Sequence, residues 1–158
     1  MRTADEWFER YAESHKNPIN KAIHWVCIPL ITLSTLGLLQ AIPTPFDLPL
    51  AHAGTLASLL ALGFYLRLSW TLAAGMTVFG GACLLFNAWM ATVGQPVGWV
   101  SAGIFGAAWV AQFVGHKIEG KKPSFFDDLQ FLLVGPAWLL QFVYRRVGIP
   151  VVPGAAPA

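Results

Sequence analysis

Residues 68–116 read LSWTLAAGMTVFGGACLLFNAWMATVGQPVGWVSAGIFGAAWVAQFVGH, without one Asp, Glu, Lys or Arg. Residues 22–46, AIHWVCIPLITLSTLGLLQAIPTPF, are equally free of charge. Such stretches are hard to place anywhere but in lipid, where ~20 apolar residues make one helical crossing. The remaining composition agrees. Hydrophobic residues make up 56% of the 158, and charged residues only 11%, against about 25% in an ordinary soluble domain. Seven Trp and 11 Phe fit a chain with membrane interfaces to occupy. A formal net charge of +2, with no basic stripe interleaved with aromatics, argues against a nucleic-acid partner.

Working outward, the chain divides into five apolar runs. The first, Trp25–Ile42, is 18 residues long and contains Pro29, which predicts a kink. It is entered through Asn17-Pro18, an N-cap followed by proline at the first helical position. Pro43, Pro45 and Pro49 predict a loop. Residues 53–66 form the second run, which ends at Arg67. The third, 70–91, carries Gly75, Gly80 and Gly81, small residues suited to close helix packing. Gly94-Gln95-Pro96 is a turn, and 97–114 form the fourth run, with Gly103 and Gly106. A polar stretch, Gly115–Asp128, follows. The fifth run, 129–144, is 16 residues long and interrupted by Gly135-Pro136, so it reads as re-entrant or interfacial. Ahead of all this, residues 3–14 predict a short amphipathic helix, with Thr3 and Glu6 as a capping box and Trp7, Phe8 and Tyr11 on one face. Its acidic character favours packing on the protein over anchoring to anionic lipid.

The fold class expected is therefore an all-α integral membrane bundle: four spanning helices, a re-entrant fifth and an N-terminal amphipathic helix. Residues 1–144 make one domain, and 145–158 are a Pro/Ala-rich tail expected to be disordered. The polar opening does not read as a signal peptide, so insertion is expected to use the internal runs. Cys27 and Cys83 stand in apolar runs, form no CxxC and read as small core residues.

If runs one to four each cross, one side holds Arg2, Arg10, Lys16, Lys21, Arg67, Lys117, Lys121 and Lys122. The two loops opposite hold no Lys or Arg. That bias assigns the basic side to the cytoplasm. It also sorts the four histidines: His15, His24 and His116 come to the basic side, and His52 to the other. Three imidazoles at one membrane face suggest a transition-metal site. Solvated interfacial histidines are the plain alternative. Gln112, His116 and Glu119 share one helical face. Glu119 has two readings, as a ligand or acceptor for a ligating His, and as a surface partner of Lys121 or Lys122. Lys117 also has two, as a snorkelling lysine and as counter-charge to an anionic substrate. Arg67 reads as a topological charge and His52 as a loop histidine.

At these residues the chain resembles the metal-dependent 2-hydroxy fatty acid dioxygenase family. The resemblance is carried by Tyr11, His15-Lys16-Asn17-Pro18, Asn20-Lys21 and His24. It continues through Tyr65-Leu66-Arg67-Leu68, then Trp109, Gln112-Phe113, Gly115-His116-Lys117 and Glu119-Gly120-Lys121-Lys122-Pro123. Asp127-Asp128-Leu129 and Gly135-Pro136 close it. Members are small multi-helix membrane proteins of bacteria and of the eukaryotic endoplasmic reticulum. The resemblance implies an Fe(II)-dependent α-oxidation that shortens a 2-hydroxy fatty acid by one carbon, with His15, His24 and His116 as metal ligands. Lys117 and Glu119 would then be catalytic, and Tyr11, Asn20, Lys21, Gln112 and Lys117 would bind substrate. Fe(2+), O2, the 2-hydroxy acid and membrane lipid are the expected partners. The expected location is the bacterial inner membrane or the endoplasmic reticulum, with the histidines on the cytoplasmic side. A non-catalytic lipid-binding or transporter-like bundle is the rival reading, separated by metal content. A metal-dependent lipid hydrolase is another, separated by oxygen dependence.

Overall fold

The structure, a computed structural model, describes residues 2–45, 51–123 and 130–152. They form six helices: α1 (Ala4–Ala12), α2 (Pro18–Gln40), α3 (Ala53–Leu68), α4 (Trp70–Thr92), α5 (Val97–Glu119) and α6 (Phe131–Val147). Among the described residues there is no strand. Pro49 of the expected loop, the Asp127-Asp128-Leu129 match and residues 153–158 of the expected tail lie outside the described residues.

The helix starts follow local chemistry. Thr3 Oγ1 accepts the Glu6 N–H at 3.3 Å while the Glu6 carboxylate accepts the Thr3 N–H at 2.7 Å, a complete capping box. Asn17 Oδ1 accepts the Ile19 N–H at 2.8 Å, and Pro18 opens α2. Ser69, in extended backbone, closes α3 and caps α4 through its hydroxyl. His52 caps α3, its Nδ1 accepting the Thr55 N–H. Gly120, at φ 74°, ends α5 in the left-handed conformation that glycine adopts without a Cβ clash.

Three helices, α2, α4 and α5, are each 23 residues long and apolar enough to cross a membrane. At 1.5 Å per residue each reaches about 34 Å, enough for a ~30 Å hydrocarbon core. The fourth, α3, is apolar but has 16 residues, about 24 Å. Their outer faces are strongly apolar: Trp99 is 82% exposed, Val78 74% and Leu60 70%. Exposed apolar area on this scale marks a surface built for a non-aqueous neighbour.

α2 packs most extensively on α5, and the two run antiparallel. Glu119 at the end of α5 meets Asn17 at the start of α2, and Gly98 near the start of α5 meets Ala41 just beyond α2. α3 returns beside α2, with Gly54 against the Leu36 carbonyl. Asn87 ties α4 to α2 by donating from Nδ2 to the Leu33 carbonyl at 3.0 Å. The four helices alternate in direction. The starts of α2 and α4 and the ends of α3 and α5 therefore share one end, and His52 lies at the other.

Three sequence readings need correction. The fifth run is not interrupted: α6 passes unbroken through Gly135-Pro136 and continues to Val147, three residues past the expected domain end. Pro136 stands in the second turn, where its missing N–H removes one intrahelical bond. The polar stretch beginning at Gly115 is helical as far as Glu119, which extends α5 beyond the fourth run. Of the three glycines singled out for packing, only Gly75 is tightly approached, by the Tyr144 hydroxyl; Gly80 and Gly81 face open space.

Both halves of α6 touch the histidine end of the bundle. The Tyr65 hydroxyl donates to the Leu133 carbonyl at 2.8 Å, and the Tyr144 hydroxyl donates to the Thr71 carbonyl at 2.7 Å. Beyond α6, the Val151 carbonyl accepts from the hydroxyls of Ser69 and Thr71. α1 lies on α6, with Trp7, Phe8 and Tyr11 buried and Asp5, Glu9 and Arg10 exposed. Cys27 and Cys83 are buried and free.

Candidate metal centre

The centre is assembled from two chain segments nearly a hundred residues apart. The chain leaves α1 at Ala12, and His15 turns back beneath that helix. Its Nδ1 donates to the Tyr11 carbonyl at 2.6 Å, the shortest bond at an acceptor that the Ser14 N–H and hydroxyl also approach. One α2 turn past Asn20, His24 Nδ1 donates to the Asn20 carbonyl at 2.8 Å. A carbonyl only accepts, so the proton of each ring sits on Nδ1 and each Nε2 carries a bare lone pair. His116 enters from the last turn of α5.

The three rings meet nearly edge to face. Ring centroids are 4.2 Å apart for His15–His24, 5.0 Å for His15–His116 and 4.9 Å for His24–His116. One ring nitrogen from each lies within 4.8 Å of the others. All three are buried, at 1%, 1% and 4% exposure. His15 Nε2 and His116 Nδ1 have no hydrogen-bond partner. A buried orphan of this kind costs about 1–3 kcal/mol, so two at one point need a reason. Three imidazoles without a carboxylate among them fit a borderline transition metal and do not fit Mg²⁺ or Ca²⁺. Burial pushes the His15 pKa down to about 4, helped by His116 and Lys21 and opposed by the Tyr11 hydrogen bond, so the ring is neutral near pH 7.

Glu119 accepts from the segment that joins α1 to α2 and from the first turn of α2. Its Oε1 accepts the Lys16 N–H at 2.9 Å; its Oε2 accepts the Asn17 N–H at 2.8 Å and the Asn20 amide at 3.2 Å. It thus fastens the end of α5 to the linker that carries His15. Asn20, fully buried, also donates to the Ser14 carbonyl at 3.1 Å. A Cβ on Gly115 would strike Asn20 Oδ1, so glycine there lets α5 close on α2 beside His116.

A cleft of about 60 Å³ opens beside the histidines, room for a few water-sized groups. His24, His116, Tyr11 and Gln112 border it, with Thr32 and Trp109. Gln112 Oε1 is buried without a partner. Burial raises the Tyr11 pKa, which keeps its hydroxyl a proton donor. Lys21 is half-buried and close enough to act on His15; Lys117 is exposed. Asn20, Lys21, Lys117 and Glu119 do not border the cleft. Sequence reasoning missed the wall built by α6. Phe131, Gly135 and Pro136 border the cleft, and Trp138 lies 5.4 Å from the His15 ring. The Gly135-Pro136 step was the signal, read as a helix breaker and as part of the family resemblance but not as a wall of the site.

Fold and site together define a class: an all-helical protein with membrane-length apolar helices and a buried three-histidine centre where two antiparallel helices end. Compared with known families, residues 1–147 match the Mpo1-like family, described as 2-hydroxy-palmitic acid dioxygenase Mpo1-like. The chain belongs to that family. No curated protein and no solved structure matches it.

Proposed function

We propose that this protein is an Fe(II)-dependent dioxygenase that converts a 2-hydroxy fatty acid to the acid one carbon shorter. The reading rests on one observation above all: two orphaned ring nitrogens in a cluster of three buried histidines, beside a polar-lined cleft. Family membership supports the substrate class. The overall balance closes with O2 as the oxidant: a 2-hydroxy acid and O2 give the shorter acid, carbon dioxide and water.

His15, His24 and His116 would hold the iron. Bound there, iron supplies the chelation of a 2-hydroxy acid and the activation of oxygen. The protein's own groups do the rest. Hydrogen bonds from Nδ1 to the Tyr11 and Asn20 carbonyls aim two rings and raise their basicity as ligands. The unpartnered Gln112 Oε1 accepts a hydrogen bond from the substrate hydroxyl, and Tyr11 donates one to an oxygen in the cleft. From outside the cleft, half-buried Lys21 and exposed Lys117 offset the carboxylate charge. Trp138, Phe131 and Pro136 exclude water on the α6 side.

The four helices α2–α5 are read as the membrane-embedded body, with α6 lying across their histidine end. That end carries Arg67, Lys16, Lys21 and Lys117, a positive-inside bias that supports a cytoplasmic face for the centre. The test is metal analysis of purified protein, followed by oxygen uptake on 2-hydroxypalmitic acid with iron restored anaerobically. Protein that binds no transition metal, or consumes no oxygen when loaded, would sink the reading.

A further inference from the structure

A second cavity, of about 170 Å³, lies between α2, α4 and α6. Its walls are apolar throughout: Trp25, Pro29, Met76, Phe79, Leu140 and Val143 among them. Ile28 and Pro136 border both this cavity and the histidine cleft, so the two are neighbours across one pair of side chains. Pro29 lies five residues along α2 from His24, about 7 Å, and Phe79 nine residues into α4, about 14 Å from its start at the histidine end. The groove therefore leads from the histidine end toward the apolar middle of the bundle. One side is open, since Trp25 is 44% and Val143 45% exposed.

A polar cleft followed by an apolar groove matches an amphiphile lying head outward and tail inward. Resting on the function proposed above, we propose that the acyl tail of the 2-hydroxy acid passes between Ile28 and Pro136 and lies in the groove between α2, α4 and α6. Phe79 then forms its far wall and Val143 its open flank, and these two side chains set the chain length accepted.

Each methylene buried or excluded changes affinity about fourfold. Val143→Trp, at an exposed position that tolerates bulk, should lower the ratio of long-chain to short-chain turnover by about tenfold or more, as expected for two or more methylenes displaced. Phe79→Ala should shift the preference toward longer acids. A binding readout independent of turnover uses metal-free protein in lipid nanodiscs and 2-hydroxypalmitic acid carrying a diazirine at its terminal carbon. The photolabel should map to residues 76–79 and 139–143, fall in Val143→Trp, and be displaced by unlabelled 2-hydroxypalmitic acid. Label on the outer faces of α3 and α5, label that excess 2-hydroxy acid does not displace because bulk lipid fills the groove, or chain-length profiles unchanged in both variants would each overturn the proposal. Failure of the dioxygenase reading looks different: specific, displaceable labelling in the groove with no oxygen uptake by the iron-loaded wild type.

Discussion

Glu119, the last residue of α5, accepts the backbone N–H of Asn17, the residue that caps α2, at 2.8 Å across 102 positions of sequence. This contact and its companions at Lys16 and Asn20 hold the His15 linker against the His116 turn. Removing the acceptor should loosen the centre without touching a ligand. Glu119→Ala is expected to lower metal affinity about 10–100-fold, in the range found when groups supporting metal ligands are removed. Glu119→Gln, which keeps acceptor capacity, should lose less. Competitive metal titration measures both, and wild-type affinity in Glu119→Ala would show the clasp to be dispensable.

The histidines separate into a working set and a bystander. His24→Ala and His116→Ala should each abolish stoichiometric metal binding. His52→Ala should keep the metal and lose only the cap of α3, about 0.5–2 kcal/mol of stability. Metal stoichiometry together with thermal unfolding in detergent distinguishes them, and metal loss in the His52 variant would contradict the geometry.

In metal-free protein, His15 makes stability depend on pH with a definite sign. Its pKa is about 4 folded, against 6.5 ordinarily. Between those values the unfolded chain binds more protons than the folded one, so stability falls as pH drops from 7 toward 4. The contribution is of order 3 kcal/mol. It should shrink in His15→Asn, read as the pH dependence of denaturant midpoints. Identical pH profiles for the two proteins would count against a neutral, buried His15.

Gly115 and Gly103 offer a paired test of helix approach. A Cβ at Gly115 meets Asn20 Oδ1, whereas Gly103 faces open space. Gly115→Ala should cost about 1–3 kcal/mol and weaken metal binding. Gly103→Ala should be neutral or slightly stabilising, because alanine is the better helix former. Reversal of that order would mean that α2 and α5 do not pack as described.

Lys21 and Lys117 stand differently toward the cleft, one half-buried and acting on His15, the other exposed. Lys21→Ala is expected to lower kcat/KM on a 2-hydroxy acid about tenfold, the loss of a nearby positive charge at roughly 1.4 kcal/mol per decade. Lys117→Ala should lose less, with metal stoichiometry unchanged in both. A larger loss for Lys117 would put the carboxylate at the edge of α5.

What could be read from the chain alone followed the range of the interaction. The capping box at Thr3 and Glu6 and the cap at Asn17-Pro18 are local, and both stand in the structure. Gathering His15, His24 and His116 at one end followed from charge distribution along alternating helices, a coarse property that survives uncertainty about helix ends. The path of α6 was not legible, because hydroxyl-to-carbonyl bonds tie it at separations of 68 and 73 residues, and every residue offers a carbonyl. The partners of Glu119 were hidden for the same reason: backbone N–H groups carry no signature in a sequence. Gly80 and Gly81 show the opposite error, where a suggestive residue type faces nothing.

The route of α6 has a consequence for the order in which the molecule comes into being. His15 and His24 emerge from the ribosome early, but their companion at 116 arrives only with the fourth helix of the body, and the wall of Phe131, Pro136 and Trp138 later still. A nascent chain would carry two of three histidines through most of its synthesis, with no closed pocket around them. Metal capture is then a late event in biogenesis, and a chain stopped before α6 would present its ligands to water from the side that the finished protein seals.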